Sequence, residues 1–357
     1  MPRPDEVCEV AVGGKRFRDW TAVQVVHDLM DPMFRATLST VEYGSESNSL
    51  MSLRLKPGDQ ATVTLAGYKV IDGAVWLRQA GYDAARHGVM VGIVSKTIDI
   101  VRSSAMTKSG QFKGYPFASI ARSVLAPYGI NLVVRNPPPD FARPFDRVHI
   151  QPGETVWQLL DRLGRMRGLT MTSDPDGNLV AGQVELGSSQ AILQEGGNIL
   201  RARCIMRDDA LNGMIYGVGQ GPGNDQRNGE AVASPTAFTA NSLFGRYRPL
   251  VLISEQPGTQ QDLQHRVDRE KKEQAYSFLQ CAITVQGWLR PDGEVWQIGK
   301  KVTVKSPMLL LDNKDLAIQS VTFEQDAEGG TTTTLDLVSE AALGSKGVET
   351  GPEGTAT

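Results

Sequence analysis

The sequence predicts an α+β protein in which two β-barrel-like domains, residues 1–106 and 190–342, flank a small α/β module, residues 107–189, with an internal two-fold repeat. Residues 343–357 read as a disordered tail. Both ends of the chain alternate apolar and polar residues, as in FRATLST and LQCAITVQ, the period of half-buried strands. The middle switches to helical spacing, and there a helix–glycine–strand order occurs twice.

In the N-terminal region Phe34, Ala36 and Leu38 face one way and Arg35, Thr37 and Ser39 the other. The turn signal Lys56-Pro57-Gly58-Asp59 precedes a second alternating run, ATVTL, and then KVIDGAVWLRQ and GVMVGIV, joined by a polar connection around Asp83–Gly88. Short strands at this spacing predict a barrel or sandwich.

In the module, Phe117, Ile120, Ala121 and Val124 sit at i, i+3, i+4, i+7 behind Pro116, and Gly129 ends the helix before the strand INLVV. NPPPDFARPF, residues 136–145, is a stiff connector. Thr155 then caps a second helix carrying Val156, Leu159, Leu160 and Leu163. Gly168 supplies its left-handed exit, and Asp174-Pro175-Asp176-Gly177 turns between LTMT and NLVAG. Aligning Gly129 with Gly168 superposes Phe117 on Val156, Ile120 on Leu159 and Val124 on Leu163, which is the internal repeat.

The C-terminal region returns to strands: Leu279, Cys281, Ile283 and Val285 on one face, a turn at Arg290-Pro291-Asp292-Gly293, then KKVTVKS, LAIQSVTF and TTTTLDLV. One charged helix precedes them, with Thr259 and Asp262 as its capping box. Residues 217–245, rich in Gly, Pro and Asn, read as one long irregular loop.

Composition excludes several function classes. Net charge is −3, from 37 basic and 40 acidic residues, whereas a dedicated nucleic-acid binder carries a basic excess. No apolar run reaches the ~18 residues that span a bilayer, and the start MPRPDEVCEV lacks the order of a signal peptide. Cys8, Cys204 and Cys281 are odd in number and far apart, which predicts no disulfide framework and a reducing compartment during assembly.

Candidate chemistry is sparse. His27, His87, His149 and His265 share no metal-ligand spacing, and no Gly-x-Ser-x-Gly elbow is present. GVGQGPGND, residues 217–225, has the density of a phosphate loop, but Pro222 and the polar run after it allow no helix to supply converging amides. GEVWQIGKK has Lys301 where a P-loop needs Ser or Thr. Trp157 with Glu154 and Asp161 suggests a sugar-binding or glycosidase pair. Helical spacing offers Arg162 and Arg165 as partners for those acids, which makes the group a solvated helix face. The expectation is therefore no catalytic, cofactor-binding or metal-binding residue, and no enzyme.

The order VAVGGKRFRDWTAVQVVHDLMDPMFRATLST, LKPGDQATVTLAGYKVIDGAV, VMVGIVSKTIDIVRSSA resembles the N-terminal domain of baseplate hub proteins of Mu-like contractile-tailed phages, the tail protein P family. The units ending at Gly129 and Gly168 resemble its middle domain. RYRPLVLISEQPGT and WLRPDGEVWQIGKKVTVKSP through TTTTLDLV resemble its C-terminal domain. The resemblance implies a structural hub subunit of a virion tail baseplate, assembled in the host cytoplasm. It implies a homotrimeric ring of near-sixfold symmetry, joining the sixfold tail tube or its initiator to the threefold central spike. Other baseplate proteins would be further partners, and DNA would pass the central channel without specific binding. The alternative is a tail-associated protein that degrades or binds cell-wall carbohydrate through Trp157 and its carboxylates.

Overall fold

The computed structural model describes residues 6–43, 55–83, 86–107, 110–219, 236–253 and 260–343. The N-terminal region supplies β1 (Cys8–Val12), β2 (Lys15–Phe17), β3 (Ala22–Asp28), β4 (Arg35–Tyr43), β5 (Gln60–Leu65), β6 (Tyr68–Tyr82) and β7 (Arg86–Ser95). A short helix, α1 (Ile98–Arg102), leads into the module. There β8 (Gln111–Phe112), α2 (Phe117–Leu125), β9 (Leu132–Arg135), β10 (Val148–His149), α3 (Val156–Met166), β11 (Thr170–Ser173) and β12 (Leu179–Gly182) follow. The C-terminal region opens with β13 (Ser189–Gln194), β14 (Ile199–Met206), β15 (Met214–Val218), β16 (Thr236–Ala240) and β17 (Pro249–Ile253). It ends with α4 (Gln260–Phe278), β18 (Leu279–Gln286), β19 (Lys301–Ser306), β20 (Leu311–Asp326), β21 (Gly330–Ser339) and α5 (Glu340–Leu343).

The molecule is mostly β, and its two β-rich ends are joined. One sheet of 13 strands runs β14-β18-β21-β20-β3-β4-β7-β6-β5-β1-β2, with β19 on β20 and β13 on β19. The crossing point is the antiparallel ladder of β3 with β20, from Ala22 opposite Asp326 to Asp28 opposite Ser320. Both ends are β-rich as expected, but among the described residues their strands form one shared, hydrogen-bonded sheet and no closed barrel, and the hydrophobic core is shared as well. Val25, Phe34, Leu38, Val63, Ile71 and Ile93 from one end pack in one cluster with Trp288, Val302, Val321, Phe323 and Leu335 from the other.

The alternation read from the sequence is the alternation of burial. Phe34, Ala36 and Leu38 are almost fully buried, as are Leu279, Cys281, Ile283 and Val285. The two-versus-one register at Val75/Leu77 in the β6–β7 ladder bends the longer hairpin.

The module has its own core, in which Phe117, Ile120, Leu125, Leu159, Leu160 and Leu163 meet Met171, Leu179 and Ala181. Thr155 caps α3 as its residue type requires. Its hydroxyl accepts from the Gln158 N–H at 3.2 Å, and the Gln158 side chain accepts from the Thr155 N–H at 2.9 Å. Gly129 and Gly168 both take the left-handed conformation at φ 64° and 61°, and each is followed by a strand. Strand β12 lies between β11, antiparallel, and β9, parallel.

Several expectations are corrected. Residues 217–245 are not one loop: Gly217 and Val218 finish β15, and β16 and β17 complete a small sheet of order β16-β15-β17. Residues 220–235 and the proposed cap at Thr259 lie outside the described residues, as do residues 344–357 of the tail. Leu343 is no part of a disordered tail, because it ends α5 and is buried against Ala275 and Val338. Cys204 and Cys281, 77 residues apart, form a disulfide. The antiparallel register of β14 with β18 sets them directly opposite each other, a proximity that sequence spacing does not disclose. Cys8 is free and buried.

Candidate functional site

The residues that suggest chemistry are dispersed or already engaged. Arg162 holds Glu154 through Nε at 2.8 Å and Nη2 at 3.0 Å, and also donates to the His149 carbonyl at 3.1 Å. Burial pushes the Glu154 carboxyl upward, but hydrogen bonds from Arg162 and from the Gln151 N–H outweigh it and hold the pKa below its usual value. Asp161 pairs with Arg165 at 2.5 Å on the same exposed face of α3. Trp157 packs half-buried on the module core. No pair of free carboxylates flanks an open groove here, so the arrangement is a helix face tied down by ion pairs.

The histidines do not converge. His27 is buried on β3, stacked on Phe34 at 3.9 Å and edge-on to Phe323 at 5.9 Å. His149 is exposed on β10, and His265 on α4 lies 3.4 Å from the Met166 carbonyl. His87 sits on β7, its side chain outside the described residues. Among the described residues no three His, Cys, Asp or Glu side chains are grouped to hold a metal ion. Burial, with Glu9 alongside, pushes the Cys8 thiol up to about 12, so it is no nucleophile at neutral pH. Of the first glycine motif, Gly217 and Val218 end β15 and residues 220–225 lie outside the described residues; in the second, Gly293 and Gly299 have φ of 89° and 70°, and neither opens a helix. No helix among the described residues is long and apolar enough to cross a membrane.

The structure offers surfaces instead. Among the described residues the branched large sheet has three open edges: β14 pairs only with β18, β2 only with β1, and β13 only with β19. Unpaired edges of this kind are templates for another chain. The small sheet adds a second surface. Its inner face, with Ile215, Ala237, Leu250 and Leu252, packs on Leu263 and Val267 of α4. Its outer face carries Tyr216, Val218, Phe238, Val251 and Ile253, all exposed. The registers set Tyr216 beside both Phe238 and Val251, and Val218 beside Ile253. An uncharged patch of this make-up marks an interaction site. Sequence reasoning missed it, although the alternation of MIYGV and TAFTA was the available signal. A third feature is a cleft of about 470 Å³ where the N-terminal sheet, the module and the segment before β19 meet.

Comparison with known proteins follows the same division. Residues 7–93 match the family described as Mu phage baseplate assembly protein GpP-like, N-terminal. Residues 97–183 match that described as baseplate hub protein gp44-like, second domain. The chain is 25% identical over 328 residues to baseplate hub protein gp44 of Escherichia phage Mu, covering 91% of this chain and 85% of that protein. Among solved structures it is similar to the 43 kDa tail protein of prophage MuSo2 from Shewanella oneidensis. That likeness has a TM-score of 0.83 at 28% identity, over 95% of this chain and 99% of that one. The tail protein from Neisseria meningitidis MC58 superposes with a TM-score of 0.78 at 22% identity, over 94% and 97% of the two chains, which shows a shared fold.

Proposed function

We infer, from the premise that the chain belongs to the baseplate hub proteins of Mu-like contractile-tailed phages, that it is a non-catalytic subunit of a homotrimeric ring. Its role is that of a structural baseplate hub protein. The observation that supports the ring is the large sheet, open at β14, β13 and β2, together with the exposed apolar face on β15–β17. A closed ring covers such edges and faces with copies of the same chain, through heterologous contacts that return on themselves. In this reading each chain lends its N-terminal and C-terminal β-regions as two similar barrel-like parts of a near-sixfold ring, with the duplicated helix–strand module as the brace between them. The ring joins the tail tube above to the spike below, alongside other baseplate proteins, and surrounds a channel for DNA. A net charge of −3 suits passage without adhesion, since tight phosphate binding requires a basic surface.

Light scattering and electron microscopy of the purified protein test this. The expected particle is a ring of three times the 38.8 kDa chain mass. A stable monomer at micromolar concentration, still monomeric with spike and tube proteins present, overturns it. The cell-wall reading is not favoured, because Arg162 and Arg165 occupy its two carboxylates. Peptidoglycan release by wild-type protein that is abolished by Asp161→Ala or Glu154→Ala would restore it.

A further inference from the structure

The turn between β19 and β20 holds two large apolar side chains in water. Met308 and Leu310 are both 81% exposed. Leu310 has φ 57° and ψ 32°, in the left-handed region that a bulky L side chain rarely enters. A backbone outlier of this kind, kept with its side chain in solvent, points to a function outside the chain itself. The turn is also tied down. Leu309 reaches back to the shared core, and the Leu310 N–H donates to the Pro307 carbonyl at 3.0 Å. Glu195, just past β13, accepts from the Ser306 hydroxyl at 2.6 Å and from the Met308 N–H at 3.2 Å. An apolar pair fixed in advance loses little freedom on docking, which suits an interface anchor.

The outer face of the small sheet has the matching character. The registers build it as a grid, three positions from each of β15, β16 and β17, none of them charged. Its middle row is Tyr216, Phe238 and Val251, and the two rings lie 5.0 Å apart, tilted by 42°. The exposures of its side chains leave on the order of 700 Å² open, above the ~300–600 Å² of a monomer's largest apolar patch. That area approaches the ~800 Å² each partner gives to a standard-size interface, so a second protein surface is the occupant it fits. Tilted rings leave a shallow notch, and thioethers pack favourably on aromatic rings. Met308 and Leu310 supply a thioether and a branched apolar group on one rigid turn.

We propose that the Met308–Leu310 turn of one copy seats on the β15–β17 outer face of the next copy in the ring. This rests on the homotrimeric reading above and says which two surfaces meet. The turn and the face are different surfaces of one chain, so the contact is head-to-tail, the type that closes into a ring when its rotation allows.

Light scattering of the full chain across a dilution series reads the concentration at which the ring comes apart. Wild type is compared with Leu310→Glu, with Val251→Lys and with the two combined. Both positions lie in water in the single chain, so the new charges act on docking. Each single variant is expected to raise the dissociation concentration at least ~10-fold, and the pair, which sets opposite charges together, to recover most of that loss. Leu310→Gly separates docking from folding. Glycine adopts φ 57° without strain, so the thermal midpoint of the dissociated chain should not fall while the ring weakens. Wild-type assembly in Leu310→Glu, Val251→Lys or Leu310→Gly overturns the proposal, as does loss in both charged variants without recovery in the pair. In those cases wild type still forms a ring, and the homotrimeric reading stands. A wild type that stays monomeric with spike and tube proteins present removes that reading and this contact with it.

Discussion

Burial moves the His27 imidazole from its ordinary pKa of 6.5 down to about 4, and the sign of the consequence follows. Above pH 6.5 the ring is neutral whether the chain is folded or not, and it contributes nothing to pH dependence. Between pH 6.5 and 4 the unfolded chain takes up a proton that the folded chain refuses, so stability falls as pH falls and the loss levels off below pH 4. The full window corresponds to about 3 kcal/mol. Urea unfolding at pH 7 and pH 4.5 should therefore show a steeper acid loss in wild type than in His27→Phe by nearly that amount. On α3 the two ion pairs should behave differently. Glu154 is buried, so Arg162→Ala strands a charged acceptor and should cost about 2 kcal/mol. Asp161 and Arg165 are half in water, and Asp161→Ala should stay within about 0.5 kcal/mol of wild type in the same assay. The pairing of Asp161 with Arg165 was legible from helical spacing, whereas that of Glu154, which precedes the cap Thr155 and lies eight residues from Arg162, depends on how the chain enters the helix. The isolation of His27 was not legible either, because Phe323 reaches it from the far end of the chain.

Gly217 makes the small sheet possible. A Cβ there would lie 2.8 Å from Val267 Cγ2 and 2.9 Å from Leu263 Cγ, so only hydrogen fits between β15 and α4. Gly217→Val should lower stability by about 2 kcal/mol through overpacking, measured as the shift of the thermal unfolding midpoint. Gly217 also explains why the element was hard to read. Its residue type argues for a loop, and the glycine- and proline-rich run after it reinforces that reading, although here the glycine marks a close approach of helix to strand. By contrast, α3 was legible almost to its ends. Thr155, the leucine spacing and Gly168 all act locally, and local signals survive without knowledge of the fold. The pairing of Cys204 with Cys281 is the opposite case, since register between strands 77 residues apart decides it.

The whole molecule divides unevenly. The core of the middle module draws all of its buried members from Ile100 to Ala181, whereas the N-terminal strands share theirs with Trp288, Trp296, Val321 and Phe323. Residues 97–183 expressed alone should therefore give a dispersed amide spectrum and a cooperative melt. Residues 7–93 alone should aggregate, because β3 loses its partner β20 and the shared core stands open. A soluble, folded 7–93 fragment would contradict the shared-core account. The strand content of both ends was plain in the alternation, but nothing in the sequence marks which strand of one end meets which of the other. That same ladder sets a schedule for synthesis. Gln24 on β3 and Glu324 on β20 touch across 300 residues, a separation a ribosome covers in roughly 15–60 s. For that interval the nascent N-terminal strands have no completed edge, and a truncated chain can never acquire one. Only a polypeptide translated nearly to its end gains the β3–β20 ladder, so prematurely terminated products lack the joint between the two β-rich ends.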